Sequence, residues 1–379
     1  MKVLMTNHSL GERAGSESYL ETVAAELRGL GHTVVFFSTR PGEMAARLRA
    51  QHYEVHTEVA DVPTDVDVIH GQHVDTVGLV RTRLPRTPLV FVSHSWVISL
   101  EDPLTELGAG AFVALNDLTQ RRLAAHVATQ GREVLRLTQP VAISYADGAR
   151  TPIGPEPRRA LAVSRRMRYL PARLAAACAA AGIEFDWLGG ADKQSADARE
   201  EMRTHDIVFA VGRTALEAMA LGRAVFVVDD TSQGGWVRTA THRSLEADGF
   251  TGFGEPDPPE SLETALASYD PGMGQEARSL AIHHHAAQHH AVALVSLYTR
   301  VADAPGAAAP APGIALLAAQ RFELEARAVR AEWRLAEETR RVAELEAELA
   351  RVSTRRDQLR RQRDRARREL DSARGVVAD

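Results

Sequence analysis

One stretch of the sequence, His205–Asp230, places small and polar residues between two apolar runs. The first run ends at Gly212, and a short apolar run of this kind is typical of a buried strand. Thr214 then opens a segment of good helix formers that contains one carboxylate, Glu217, before the second run Ala224–Val228 begins. Strand, helix and strand in this order bring the start of the helix to the carboxyl end of a sheet, where its free N–H groups bind anions. We therefore expect Gly212–Glu217 to hold a diphosphate.

The phosphate contacts expected in this segment come from the first residues of its helix. Gly212, Arg213 and Thr214 offer backbone N–H groups, a guanidinium and a hydroxyl. A guanidinium binds phosphate through two parallel hydrogen bonds. Three further arginines follow a second apolar run at Ala160–Val163, namely Arg165, Arg166 and Arg168. A solvated basic turn is the alternative interpretation for these three.

A second candidate contact lies near the N-terminus, where Gly15, Ser16 and Glu17 precede an amphipathic segment. Glycine lets the backbone approach a ligand, and the start of a helix favours negative charge. Ser16 is expected to cap the helix. The alternative is an ordinary turn and cap with no ligand.

Histidines stand at the ends of predicted strands in the first half of the chain. His94 follows the run Leu89–Val92, and ligands bind at the carboxyl ends of strands in parallel sheets. His70 has the same placement, and His8 is a weaker candidate. A histidine satisfied under a loop is the alternative for each of them.

Two groups of residues resemble metal-binding motifs, but neither is sufficient to predict a metal site. His285 and His289 are four apart in a histidine-rich segment, but no carboxylate or cysteine completes a ligand set, so a solvated helix face is expected. Asp229 and Asp230 are adjacent, and paired carboxylates alone are weak evidence for a metal. With Gly234 and its neighbour Gly235, they form a polar loop that we expect to close over the bound diphosphate.

Composition is that of a soluble globular chain: of 379 residues, 45% are apolar and 25% are charged, with a net charge of −5 that indicates no general attraction to nucleic acid. The only cysteine, Cys178, cannot form an internal disulfide, which fits a reducing compartment. Neither a signal peptide nor a membrane-spanning run of about 20 apolar residues is recognisable. We expect a cytoplasmic protein.

Strand-like runs alternate with helical patterns over most of the chain, which predicts parallel sheets covered on both faces. We expect an α/β fold with one Rossmann-like domain in residues 1–150 and a second in residues 151–302, joined by the proline-rich segment Gln139–Pro157. A helical pattern over Gly272–Arg300 is expected to pack back on the first domain. Residues 303–313, rich in alanine, proline and glycine, read as a linker.

Residues 314–373 contain neither proline nor glycine and predict a helical coiled coil. Arg356 and Arg363 fall on the predicted seam and would weaken it. We therefore expect the protein to form homo-oligomers through this coiled coil. An alternative for the arginine-dense part, Arg351–Arg368, is peripheral contact with anionic lipid or binding of nucleic acid. The apolar positions of the heptad are Val342, Leu345, Leu349, Val352 and Leu359, extended by Ala366 and Leu370.

The two predicted Rossmann-like halves, the Gly15–Glu17 motif and the LEAMALGRAV segment around Glu217 together resemble GT-B glycosyltransferases, in particular the family 4 type of nucleotide-sugar enzymes. The resemblance covers residues 1–302. It implies transfer of a sugar from a nucleotide-diphosphate donor to a hydroxyl of a glycan or small-molecule acceptor. It also implies retention of the anomeric configuration and no required metal ion or cofactor.

The resemblance also implies roles for individual residues. His94 would lie near the sugar at the reaction centre, and Glu217 matches the second glutamate of the family's Glu-x7-Glu motif, which hydrogen-bonds the ribose. Gly15, Ser16 and Glu17 match the family's glycine-rich loop in part. Arg165 or Arg166 would be the first cation on the diphosphate, with Arg168 as the nearest substitute for the family's lysine.

Two positions depart from the family pattern. Phe209 stands where the first glutamate of the motif would be, and no lysine follows the arginines. These departures keep an alternative open, in which a catalytically degenerate GT-B protein serves as a binding or coiled-coil scaffold module. A GT-B-shaped sugar-nucleotide epimerase is a third hypothesis, for which no acid and base residues are identified.

Overall fold

The computed structural model describes residues 1–146, 152–164, 167, 169–189, 198–253 and 261–304, with scattered positions between 313 and 363. Residues 1–319 form one compact unit, which contains two sheets. The second unit, residues 320–379, includes the predicted coiled coil. Its apolar heptad residues lie outside the described residues, so the coil remains a prediction.

The first sheet has seven strands in the order β3-β2-β1-β4-β5-β6-β7, and all neighbouring strands are parallel. The chain adds β2 and β3 on one side of β1 and the later strands on the other. The order therefore reverses at the carboxyl ends of β1 and β4, where ligands bind in sheets of this type. Its elements are β1 (Lys2–Thr6), α1 (Gly15–Gly29), β2 (Thr33–Phe37), α2 (Glu43–Ala50), β3 (Glu54–His56), β4 (Val68–Gly71), α3 (Val74–Arg83), β5 (Leu89–Ser93), β6 (Ala111–Ala114), α4 (Asp117–Ala125) and β7 (Glu133–Arg136).

The second sheet has five strands in the order β12-β11-β10-β8-β9, and only β12 runs antiparallel to its neighbour. Its order reverses at the carboxyl ends of β8 and β10. Its elements are β8 (Arg159–Val163), α5 (Leu170–Ala180), β9 (Glu184–Leu188), α6 (Ala198–Met202), β10 (Ile207–Ala210), α7 (Gly212–Ala220), β11 (Ala224–Val228), β12 (Gln233–Trp236), α8 (Thr239–Ala247), α9 (Leu262–Ala267), α10 (Gly272–His285) and α11 (Ala287–Asp303).

Central strands of both sheets are buried along their whole length. Every residue of β5 and of β11 is buried, as expected for parallel strands that helices cover on both faces. The predicted α/β fold with two Rossmann-like domains is confirmed by these two sheets. Strand β12 was not predicted, because its glycine-rich sequence resembles a loop.

The helical pattern over Gly272–Arg300 is interrupted at Ala286, which has an extended backbone. Val141 pairs with Ala286 there, since its N–H donates to the carbonyl of His285 (2.7 Å) and its own carbonyl accepts from Ala287 N–H (3.1 Å). Helix α11 then packs against α1 and contributes Leu294 and Leu297 to the core of the first sheet. The last helix thus lies on the N-terminal half of the unit.

Two predicted helix starts are shifted. Helix α1 begins at Gly15 with Ala14 as its N-cap, so Ser16 lies inside the first turn. Asn116 caps α4 by accepting from Thr119 N–H at 2.8 Å. Helix α7 begins at Gly212, two residues before Thr214. None of the helices in the described ranges is long and apolar enough to cross a membrane.

Replacing Gly274 with alanine is expected to destabilise the protein by about 2–3 kcal/mol, because an inserted methyl group overpacks a tight contact. A Cβ at Gly274 of α10 would collide with the backbone carbonyl of Gly222 and lie 2.5 Å from Ile153 Cδ1. Gly272→Ala is the matched control, since it meets only the Asp270 side chain, at 2.9 Å. Thermal unfolding should show a lower Tm for Gly274→Ala alone. Equal effects of the two substitutions would contradict the packing argument.

Candidate functional site

The start of α7 lies at the carboxyl end of β10, where the order of the second sheet reverses. Gly212 adopts φ +58°, which glycine tolerates best, and its N–H donates to the carbonyl of Phe250 at 2.7 Å. The next N–H groups, of Arg213 and Thr214, are in the first turn and have no acceptor within the helix. The first turn contains no acidic residue. This turn can therefore accept an anion through two backbone amides and its dipole.

Glu217, one turn into α7, is buried and faces the first sheet's elements. Its Oε1 accepts a hydrogen bond from Arg13 Nη2 at 3.3 Å and lies 3.6 Å from Arg213 Nε. Arg13 belongs to the loop between β1 and α1 and also lies 3.6 Å from Glu21. Glu217 thus connects the helix of one sheet to the first loop of the other, with two guanidinium groups around its carboxylate.

Arg13 was not identified from the sequence. A signal was present, because Arg13 stands between Gly11 and Gly15 in the loop that follows the first strand. Its partner Glu217 is 204 residues away, so nothing local indicated the pair.

Arg213 has a different role from the one expected for its side chain. Its guanidinium is buried and donates to the carbonyl of Pro140 at 2.7 Å and to the hydroxyl of Thr22 on α1. These bonds join α7 to the N-terminal half of the unit. The side chain is therefore committed to this contact, and only the backbone N–H of Arg213 is left to bind phosphate.

The Gly15–Glu17 motif forms the first turn of α1. Ser16 Oγ donates to Glu17 Oε2 at 2.9 Å, and burial raises the pKa of the Glu17 carboxyl. A side chain built at Gly15 would meet no atom within 4 Å. The space beside Gly15 is therefore open to a ligand, whereas Glu17 is turned into the protein.

His94 follows β5 and lies edge-on against Tyr19, with ring centroids 4.5 Å apart. Burial, and then the neighbouring His73, hold the pKa of His94 well below its ordinary value, so the imidazole is neutral at pH 7. Its Nε2 is buried and hydrogen-bonds to none of the residues that the structure describes. A buried polar atom without a partner needs an explanation, and a ligand or an ordered water that bonds to it is one.

The other two strand-end histidines have protein partners. His70 is fully buried, and its Nδ1 bonds to the Tyr298 hydroxyl at 2.6 Å. His8 Nδ1 lies 2.6 Å from Asp75 Oδ2. His70 therefore belongs to the packing between the sheet and α11, which is the alternative considered for it.

Several predicted candidates cannot be placed or serve local structure. Arg165, Arg166 and Arg168 lie outside the described residues. Asp229 Oδ1 accepts from Thr231 and Ser232 N–H at 2.8 and 3.0 Å, and Asp230 Oδ1 accepts from Leu170 N–H at 2.8 Å at the start of α5. The two aspartates thus hold a turn and a helix end.

The solvated face expected for the histidine-rich segment is wrong for His285, which is buried, as is His290. His285 Nε2 lies 2.9 Å from His242 Nε2, and His290 Nε2 lies 2.9 Å from the Tyr19 hydroxyl. His283 and His289 are exposed. Across the described ranges, no group of three histidine, cysteine, aspartate or glutamate side chains is arranged to hold a metal ion.

A cavity of 690 Å³ opens elsewhere, at the carboxyl end of β11 beside α5 and α9. Among the described residues, its charged lining is Asp229, Asp230 and Glu263 against the guanidinium of Arg173. An excess of carboxylates repels phosphate. Within the described part of the chain, the first turn of α7 is therefore the better position for a diphosphate.

Comparisons with known proteins give structural matches only. No protein-family model matches the sequence, and no curated protein matches it significantly. A glycosyltransferase from Rickettsia africae matches with a TM-score of 0.56 and 14% identity over 80% of this chain and 98% of its own. Anabaena HepE in complex with UDP and glucose matches with a TM-score of 0.54 and 15% identity, over 79% of this chain and 100% of its own.

An α-glucosyltransferase in complex with UDP and a 13-mer DNA matches with a TM-score of 0.55 and 12% identity, over 79% of this chain and 99% of its own. Nearly the full length of each of these proteins is covered, whereas about a fifth of this chain is not. The likeness at such low identity concerns the fold. This chain has two Rossmann-like sheets, and the match extends over nearly the full length of these proteins. The chain therefore has the fold of GT-B glycosyltransferases.

Proposed function

We propose that the protein is a glycosyltransferase that moves a sugar from a nucleotide-diphosphate donor to an acceptor hydroxyl. The observation that carries this proposal is Glu217 on α7, one turn from an N-terminus with open backbone amides, in a GT-B fold. Solved structures of similar fold contain UDP, which supports a nucleotide donor. The acceptor would be a glycan or a small molecule.

The donor would bind with its diphosphate on the N–H groups of Arg213 and Thr214 and with its ribose on Glu217. During transfer the bond between the anomeric carbon and the phosphate oxygen breaks, and negative charge grows on the leaving diphosphate. Preorganised N–H donors and a helix dipole stabilise this charge, and one such donor contributes about 3–4 kcal/mol at most. Open space beside Gly15 leaves room for the donor on the opposite side.

The proposal includes a reaction that needs no metal ion and retains the anomeric configuration, as the family resemblance implies. In this arrangement the backbone N–H groups and the dipole at the N-terminus of α7 stabilise the charge on the leaving group. Asp229 and Asp230, the most obvious carboxylate pair, are engaged with backbone amides.

One feature favours the alternative of a catalytically degenerate scaffold. Phe209 is buried within β10 at the position of the family's first glutamate, which in the family lies near the donor sugar. This chain would need another group near the donor sugar. A scaffold would keep the fold and the tail without transferring sugar.

Calorimetric titration of the full chain with UDP, GDP and ADP tests the proposal. Glu217→Ala is expected to weaken binding of the preferred nucleotide about 10- to 100-fold, since hydrogen bonds to a charged group contribute about 1.5–3 kcal/mol. Glu263→Ala is the matched control, because it lines the other cavity and should leave affinity unchanged. A wild-type protein that neither binds these nucleotides nor transfers sugar from their sugar derivatives would refute the proposal. If only Glu263→Ala lost affinity, the nucleotide would bind in the cavity beside α5 and α9 and not at the start of α7.

A further inference from the structure

A buried carboxylate lies beneath the turn that carries His94. Glu101 ends a short 3-10 turn, Ser99–Glu101, in the connection between β5 and β6, and it is 2% exposed. Glutamate is almost never buried to this extent without partners. The groups around Glu101 therefore show how its carboxylate is stabilised in the interior.

Three donors from the end of β5 converge on one oxygen of Glu101. Its Oε2 accepts from the backbone N–H of His94, from the N–H of Ser95 at 2.6 Å and from Ser93 Oγ at 3.3 Å. Two backbone amides on one carboxylate oxygen fix the local backbone, because hydrogen bonds to an ionised acceptor are about twice as strong as neutral ones.

The rest of the turn is held from α4. Asn116 Nδ2 donates to the carbonyl of His94 at 3.3 Å, and Arg122 Nη1 donates to the carbonyls of Ser95 (3.2 Å) and Ile98 (3.3 Å). Glu101 thus accepts hydrogen bonds from the backbone N–H groups of the turn. Side chains of α4 and its N-cap donate to the backbone carbonyls of the same turn.

We propose that Glu101 is a positioning residue, which fixes the backbone of His94 and thereby aims the imidazole at the reacting sugar. This inference rests on the proposed transferase function. Glu101 does not reach the reaction centre itself; it acts through His94.

The second oxygen of Glu101 faces His73, with Oε1 and Nε2 3.8 Å apart. His73 Nδ1 accepts from the N–H of His8 at 3.2 Å, so the neutral His73 ring carries its proton on Nε2, directed toward Glu101. His73 has φ +62°, which is costly for a residue with a side chain, and such strain concentrates at functional sites. The strained histidine and the buried glutamate therefore belong to one support beneath His94.

The charge on Glu101 changes in the neutral range. Burial raises its pKa to about 7, while the two backbone N–H donors and the Arg122 guanidinium act in the opposite direction. The facing imidazoles do not titrate there, since burial lowers the pKa of His73 to about 4 and that of His94 well below its ordinary value. Ionised Glu101 holds the two amides most strongly, so turnover should rise as pH increases through 7.

Glu101→Gln tests this role, because glutamine retains an oxygen acceptor of the same reach and cannot ionise. At pH 8 we expect a kcat about 10- to 100-fold lower, the range that small misplacements of a reacting group produce. Nucleotide Kd should be unchanged, since the nucleotide binds at α7. The rise in kcat near pH 7 should disappear. Glu106→Gln, a half-buried glutamate in the following turn, is the matched control and should keep the wild-type profile.

A second readout needs no turnover. The amide resonances of His94 and Ser95 in the full chain should shift with a midpoint near pH 7 in the wild type and stay constant in Glu101→Gln. A rise in kcat near pH 7 that persists in Glu101→Gln, or amide resonances that do not follow pH in the wild type, would overturn the role of Glu101. Absence of transfer in the wild type with titrating amides would instead refute the proposed function and leave the contact between Glu101 and the turn established.

Discussion

Acidification from pH 7 to pH 5 is expected to unfold the protein, because five neutral histidines are buried in it. Burial lowers the pKa of three of them to about 3 and of two to about 4, from an ordinary value of 6.5. Each is less than a tenth exposed. The first group is His70, His285 and His290, and the second is His73 and His242.

The direction of the effect follows from the lowered pKa values. The folded protein holds these rings neutral, so their contribution to stability is complete above pH 6.5 and is lost as pH falls toward the folded pKa values of 3 and 4. At pH 5 each histidine would remove about 2 kcal/mol, and the five together about 10 kcal/mol. Typical domains have only about 5–15 kcal/mol of stability.

Hydrogen bonding explains why these rings cannot take a second proton in place. His285 Nδ1 donates to the carbonyl of Gln139 at 3.0 Å, so its Nε2 must accept from His242. His290 Nδ1 donates to the carbonyl of Thr138 at 3.0 Å, and its Nε2 accepts from the Tyr19 hydroxyl. Protonation of His285 would turn its Nε2 into a donor that faces the donor of His242. Protonation of His290 would place a positive charge in the interior, beside the neutral hydroxyl of Tyr19.

Urea unfolding at several pH values between 5 and 7.5 measures this loss. His285→Gln should be less stable at pH 7 but should depend less on pH, because glutamine can still donate to Gln139 and does not titrate. His283→Gln and His289→Gln replace exposed histidines and should leave the acid midpoint unchanged. A wild-type chain that keeps its full stability at pH 5 would show that these histidines are not buried and neutral.

Much of the fold follows from local sequence, because strands buried on both faces require continuous apolar runs. β5 and β11 were recognisable for this reason, and Gly222 marked the end of α7. The break at Ala286 was not recognisable, since alanine favours helix and only the bonds to Val141 interrupt it. Tertiary hydrogen bonds here outweigh helix propensity.

The candidate site likewise combines features that the local sequence predicted with features that it did not. Sequence position placed His94 at the end of a strand and Glu217 in the helix that follows another strand, but the partners that distinguish them are distant in sequence. Arg13 reaches Glu217 across 204 residues. Glu101 gave no signal of its own, because one glutamate in an irregular loop has no periodicity or spacing that marks it as buried. Side-chain partners across the fold, which local patterns do not encode, decide the chemistry of each residue.

Replacing His94 with alanine is expected to reduce kcat about 10²- to 10³-fold, the effect of removing one hydrogen-bonding group at a transition state. His94 follows β5 and His70 lies within the neighbouring strand β4, and both rings are neutral at pH 7. They differ in their partners, since His70 bonds to Tyr298 whereas Nε2 of His94 bonds to none of the described residues. An imidazole nitrogen that none of the described groups satisfies can bond to a sugar hydroxyl once the side chains that cover it move aside.

The comparison of the two alanine variants separates catalysis from packing. His70→Ala leaves the Tyr298 hydroxyl unpaired in the core and opens a cavity, so it should lower the free energy of unfolding by about 2–4 kcal/mol and leave kcat of the folded fraction nearly unchanged. His94→Ala should do the opposite, with a small change in stability, an unchanged nucleotide Kd and a large loss of turnover. If His94→Ala destabilises the protein as much as His70→Ala and the folded fraction keeps wild-type kcat, then Nε2 of His94 is simply an unsatisfied atom. The group that replaces the missing first glutamate would then have to lie elsewhere in the fold.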